Sequence, residues 1–275
     1  MTVNGTTNFA GGFTLSGSAA FDSLAVSGAT TLNTLSTAGL AQLASMQVAG
    51  GSRVAALQAT GAASLDAGLT VSGTATVGAL AAQSGAVNRD FAVAGALTAS
   101  GAAVARNLTV GGAADVAGVL SASGAAVAND LSVGDELTAR RAAVTDLLSA
   151  SGAAVARDLS VGGTATIATL AAQSATASAL NVTGLLSASG LTVTNAAAAG
   201  SLAVAGAATF GSAAVGGVLS ASGAAVAFDL SVGDELTAQR AAVADLFTAS
   251  GAAVARDLSV GGTATIATLA AASGA

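Results

Sequence analysis

The chain contains no cysteine, proline, histidine, lysine, tyrosine or tryptophan. Without cysteine there are neither disulfides nor thiolate metal sites. Without histidine, cysteine, lysine or tyrosine, a serine or threonine nucleophile lacks its usual base. Carboxylates are then the only acid–base groups, and a paired-carboxylate glycosidase would also need sugar-stacking aromatics. An enzyme is therefore not expected, and no cofactor is implied. Charge is scarce as well, at 8% of residues, and the eight basic residues are all arginine within a net charge of −6. Nothing here suits a phosphate backbone, so no nucleic-acid partner is expected.

Two further absences bear on location. Residues 1–12 (MTVNGTTNFAGG) have neither the basic start nor the apolar stretch of a classical signal peptide. Residues 159–228 carry no charge at all, yet Gly, Ser, Thr and Asn interrupt them throughout. No run of about 20 strongly apolar residues results, and membrane insertion is not expected.

What is present is small and aliphatic. Hydrophobic residues make up 53% of the chain, mostly Ala and Val, and glycine occurs 36 times. Such side chains cannot fill a wide core, but they fill a narrow one between facing strands. The low charge and high aliphatic content also argue against disorder.

The strongest pattern is repetition. Residues 120–174 recur at 219–273 with six differences: Asn129/Phe228, Arg140/Gln239, Thr145/Ala244, Leu148/Phe247, Ser149/Thr248 and Gln173/Ala272. The offset is 99 residues (219 − 120), or nine elevens. A large apolar residue followed two places later by Val recurs along the chain, as in Leu24/Val26, Leu69/Val71, Leu131/Val133, Leu202/Val204 and Leu258/Val260. Period two is the signature of a strand with both members on one face. Most steps between such pairs are eleven, but steps of five or six (Leu131 to Leu137, Leu180 to Leu186 to Leu191) expose a smaller unit. That unit is a short strand plus a turn of Gly, Ser, Thr, Asn or Asp.

An eleven-residue period also fits a right-handed coiled coil. Here glycine falls in almost every period, each costing a helix about 1 kcal/mol relative to alanine. No Glu/Lys pairs lace the faces either. Short strands with very short turns instead predict an all-β fold: a parallel β-helix or β-solenoid in which each turn hydrogen-bonds to its neighbours. Three units of five to six residues make a turn of about 17 residues, which favours a three-sided coil. The 28-residue step from Leu120 to Leu148 fits neither a three-sided nor a four-sided count. The expected organisation is an N-terminal extension or assembly strand at 1–12, followed by one continuous solenoid at 13–275 that includes the duplicated block.

Candidate sites are few. Asp130, Asp135 and Glu136 form the densest acidic group, repeated as Asp229, Asp234 and Glu235. Asp135, Glu136, Asp234 and Glu235 are the weak candidates for a calcium site, since hard cations take oxygen ligands. Solvated turn carboxylates are the plainer reading. Arg106, Arg157 and Arg256 follow Ala-Val-Ala segments, and Asp158 and Asp257 come next in the chain. Adjacent strand residues point to opposite faces, so any ion pair must reach a neighbouring coil. Thr74/Thr76, Thr164/Thr166 and Thr263/Thr265 are too isolated to predict a water-ordering threonine ladder.

The phrases VSGATTL (26–32), LTVSGTATV (69–77) and LAVAGAATF (202–210) resemble repeats in the β-structured shafts of phage tail fibres. They are also similar to repeats of bacterial surface fibres and adhesins, and of bactofilin-type polymerising β-helices. The phage resemblance implies a homotrimer with an attachment domain and a receptor-binding tip. The others imply polymers, and no site residue carries over from any of them.

The functional expectation follows from the ends. Solenoids need polar caps over their last turns, because open strand edges recruit other chains. No cap-like segment is recognisable, so the expected role is a non-enzymatic subunit that self-assembles end to end into an extracellular or cell-surface filament. Its partner would be itself, with Val3, Phe9 and Leu269 at the interface. The alternatives are the shaft of a homotrimeric virion or tail fibre, and a solenoid module binding ice, glycan or calcium.

Overall fold

The structure, a computed structural model, describes residues 1–271. The chain divides by packing into two units, Met1–Arg140 and Arg141 onward. Each is a run of parallel β-solenoid, with about 16 turns in all. No helix occurs among the described residues.

Among the described residues, fourteen strands follow in chain order. Unit 1 begins with β1 (Thr2–Phe9), β2 (Phe13–Val48), β3 (Ser52–Val71), β4 (Ala75–Val87) and β5 (Phe91–Val93). It continues with β6 (Leu97–Val110), β7 (Ala114–Val116), β8 (Leu120–Val127) and the first part of β9 (Leu131–Val144). The later strands are β10 (Leu148–Val215), β11 (Leu219–Val226), β12 (Leu230–Val243), β13 (Phe247–Val260) and β14 (Ala264–Ala271). β10 is 68 residues long, which as a straight strand would run roughly 220 Å. It instead winds through successive turns, its corners extended enough to count as strand.

The turn length follows from the contacts between coils. Side-chain hydrogen bonds join residues 16, 17 or 18 apart, as from Ser178 to Gly162, Ser222 to Ala205 and Ser123 to Ala105. Strand registers shift at the corners, for example between Val232 and Glu235. A corner can therefore take one residue more or less without disturbing the inward alternation on either side.

A typical interior turn buries three pairs of residues. Leu120/Ala122, Ala125/Val127 and Leu131/Val133 point inward in one turn, and Leu137/Ala139 opens the next. Two of these pairs contain the expected large residue. The third is Ala-x-Val, and it accounts for the 28-residue step: Ala125/Val127 and Ala142/Val144 supply the missing pairs between Leu120 and Leu148.

Stacked inward positions form continuous apolar columns. In unit 1, Leu57, Ala75, Phe91, Leu108 and Ala125 pair successively in register. In unit 2, Leu202, Leu219, Leu236, Ala252 and Leu269 do the same. Where a small residue lies between large ones, as Ala252 does between Leu236 and Leu269, the larger side chains fill the space it leaves. Among the described residues, three polar side chains are buried at inward positions, all in unit 1: Thr30, Thr37 and Ser52. Thr37 Oγ1 donates to the Gly39 carbonyl at 3.1 Å, whereas Thr30 Oγ1 and Ser52 Oγ find no hydrogen-bond partner.

Residues 1–12, expected as an extension or assembly strand, hold the first strand of unit 1. β1 pairs in parallel with β2, Val3 opposite Phe21 and Phe9 opposite Val26. The register slips between Val3 and Thr6, where Gly5 takes a φ of 88° that side chains rarely adopt.

Candidate assembly surface

The inward columns of unit 2 reach the surface at its last described turn. In the column Leu219, Leu236, Ala252, Leu269, the first three are buried. Leu269 is 56% exposed. Leu258, Val260 and Ile266, inward by the same alternation, are only half-buried. β14 thus presents, in the last described turn, apolar side chains whose counterparts in earlier turns are buried.

Sequence identity within unit 2 makes the comparison direct. Residues 165–172 and 264–271 both read ATIATLAA. In the first copy Ala165, Ile167 and Leu170 are at most 2% exposed. In the second, Ala264 and Leu269 are exposed and Ile266 half-buried. The same eight residues are core or surface according to whether a turn lies on top.

The first turn of unit 1 is less buried than those after it. Val3, Phe9, Phe13 and Leu15 are all half-buried. Phe9 stacks on Phe13 with ring centroids 4.3 Å apart, and Phe13 meets the edge of Phe21 at 6.0 Å. Of the three residues expected at an interface, Val3 and Phe9 lie in the first turn of unit 1 and Leu269 in the last described turn of unit 2.

The charged candidates lie elsewhere. Asp135, Glu136, Asp234 and Glu235 are exposed on β9 and β12. The backbone amides of Asp135 and Asp234 donate to the carbonyls of Gly118 and Gly217, both at 3.3 Å, in the preceding turns. Among the described residues, no group of three or more acidic, histidine or cysteine side chains is placed to hold a metal ion.

Asp158 and Asp257 do reach a neighbouring coil, but toward arginines the sequence did not single out. Arg141 Nε lies 3.4 Å from Asp158 Oδ2, and Arg240 Nε lies 3.3 Å from Asp257 Oδ2. Eighteen inward pairs, or six turns, separate the two bridges in unit 2. Other rungs join side chains to backbone: Asp22 Oδ2 accepts from the Gly5 amide at 2.6 Å, and Asp90 Oδ1 accepts from Asn107 Nδ2 at 3.0 Å. Aspartate, asparagine and serine at corners thus tie one turn to the next instead of converging on a ligand.

Unit 2 also carries exposed apolar side chains on its flank. Phe228 and Leu246 project from the corners of adjacent turns. A shallow hollow of about 550 Å³ beside them is lined by Leu180, Ala196, Ala198, Ala214 and Leu246. No family model, curated protein or solved structure matches the chain.

Proposed function

We propose that this protein is a non-enzymatic structural subunit that assembles end to end with copies of itself into a filament, outside the cell or on its surface. The observation behind this reading is the exposure of Leu269 in a column whose earlier members are buried. An uncovered turn leaves both its inward side chains and its outer row of backbone donors and acceptors facing solvent, and a further β-strand satisfies both at once. Main-chain bonds then continue across the joint as they do between turns. The scarcity of acid–base side chains supports a structural over a catalytic role.

Light scattering and negative-stain microscopy of the purified chain test the reading. Filaments that lengthen with concentration are expected; a chain that stays monomeric when concentrated rejects it. Leu269→Asp sharpens the test. Burying a leucine contributes about 1.5–3 kcal/mol, so the critical concentration for assembly rises at least tenfold. Circular dichroism of the variant stays that of the parent. Undiminished assembly would remove Leu269 from the interface.

The flank of unit 2 favours a second reading, the shaft of a homotrimeric fibre. Phe228, Leu246 and the hollow beside them give side-by-side association an apolar seat. Rods of fixed length and a trimeric mass would support that arrangement over the first.

A further inference from the structure

We infer that unit 2 associates side by side with that of a second copy, its arginine corner docking on an acidic and apolar corner of the neighbour. The inference deepens the side-by-side reading above and rests on it; it needs nothing from either end of the chain.

Charge in unit 2 is sorted by corner. Arg141, Arg157, Arg240 and Arg256 all fall in one corner row, just before the inward pairs that begin at Ala142, Leu159, Ala241 and Leu258. Asp158 and Asp257 share that row and already pair with Arg141 and Arg240. Arg157 and Arg256 are exposed and, among the described residues, form no ion pair. The next corner row carries Asp146, Asp229 and Asp245 without any arginine, and the third carries Asp234 and Glu235. The row of Asp229 and Asp245 also exposes apolar side chains, with Phe228 57% and Leu246 42% exposed. The Asp245 amide donates to the Phe228 carbonyl at 3.2 Å, and the Leu246 amide to Asp229 Oδ1 at 3.3 Å, which gathers the four into one patch. Phe228 stands where the other copy of the block has Asn129, so duplication alone does not account for it.

Arginine suits such a patch in two ways. Its guanidinium meets a carboxylate through paired hydrogen bonds, and its plane stacks on an aromatic ring. A second copy is the partner because it carries the patch at a matching interval. Arg157 and Arg256 are 99 residues apart (256 − 157), and so are Asp146 and Asp245 (245 − 146). Asp146 with Leu147 repeats the pair Asp245 with Leu246. Each separation is six turns, or about 29 Å at about 4.8 Å per turn. Two copies lying side by side therefore meet at two stations, and the second contact forms within the complex once the first is made. An unrelated partner would have to reproduce that interval, whereas one duplicated block sets it here on both rows. The contact joins unlike corners, so a docked copy still offers its own arginine or acidic row to the next.

The lack of lysine allows a selective test. Apart from its N-terminus the chain has no amine, so Arg256→Lys adds a single one at the arginine corner and keeps the charge. A carbodiimide joins that amine to a touching carboxylate as an amide, the reagent taking up the water lost. In a mixture of isotope-labelled and unlabelled Arg256→Lys chains, mass spectrometry is expected to find position 256 of one copy linked to Asp229 or Asp245 of another. Arg157→Glu with Arg256→Glu sets like charges face to face. Thickening of rods in negative stain should then need about tenfold more protein or beyond, with circular dichroism unchanged. Mixing that variant with a chain carrying Asp146→Arg and Asp245→Arg should restore it. Side-by-side association that charge reversal leaves unmoved, or that links position 256 only to Asp234 or Glu235 or to no carboxylate, overturns the docking and leaves the side-by-side reading standing. Copies that never associate laterally overturn both.

Discussion

Arg240 and Asp257 stand in direct register on β12 and β13, and their side chains close an ion pair of 3.3 Å across adjacent turns. The duplicated block repeats this contact as Arg141 and Asp158. Both partners of each pair are more than half exposed, so solvent screens the attraction and each bridge contributes at most about 1 kcal/mol. A double-mutant cycle of Arg240→Ala and Asp257→Ala, read by urea denaturation, should give a coupling in that range that fades in high salt. A salt-independent coupling would mean that the pair is held by something other than its charges.

Ser52 offers a stabilising change. It occupies an inward position opposite Leu35, and its hydroxyl has no hydrogen-bond partner. Leaving a buried hydroxyl unpaired costs about 1–3 kcal/mol, and alanine removes that cost while retaining the Cβ. Ser52→Ala should raise the thermal midpoint. A lower midpoint would show that the hydroxyl is satisfied in solution.

Two phenylalanines distinguish the second copy of the duplication from the first, and they should behave oppositely. Phe247 is fully buried between Leu230 and Ala264, whereas Phe228 is 57% exposed. Phe247→Ala should destabilise the protein by about 3–5 kcal/mol. Phe247→Leu, which restores the residue at Leu148, should cost less than about 1.5 kcal/mol. Phe228→Asn, which restores Asn129, should change denaturation by no more than about 0.5 kcal/mol in the monomer. Loss of lateral association in that last variant would favour the trimeric shaft.

Gly233 lies beneath its own constraint. A Cβ there would collide with the Gly216 carbonyl of the preceding turn, as one at Gly134 would with that of Ala117. Gly233→Ala must push two turns apart, and a loss of about 1–3 kcal/mol is expected by chemical denaturation. Gly223→Ala is the control, because a Cβ there meets nothing within 4 Å. It should be neutral or stabilising by about 0.4–1 kcal/mol.

Much of the architecture was legible in the residues because period two is hard to mimic. Pairs such as Leu131/Val133 and Leu202/Val204 marked strands, and the short steps between some of them gave the unit of winding. The Ala-x-Val pairs were hidden for a physical reason. In Ala125-Ala126-Val127 the inward and outward alanines are the same residue, and only the valine two places on tells them apart. The apparent elevens are steps over such pairs, Ala102/Val104 among them, and over pairs led by a small or polar residue, such as Ala41/Leu43, Thr30/Leu32 and Ser52/Val54. Leu269 was readable as a member of an inward column because the period of that column was readable. Arg141 and Arg240 were not, since a partner 17 residues away has no local signature until the length of a turn is known. Attention fell on Arg157 and Arg256 because they adjoin the aspartates in the chain, where strand geometry turns neighbours apart.

The hydrogen bonds of this fold run from turn to turn, which decides how it would yield to a pull. Tension along the stacking direction loads one rung at a time and peels the turns off in succession, as a zip opens. Each release would free about 17 residues, or roughly 50 Å of slack once the spacing between turns is subtracted. A tether held between two beads should therefore give way at low force, in many small and nearly equal jumps.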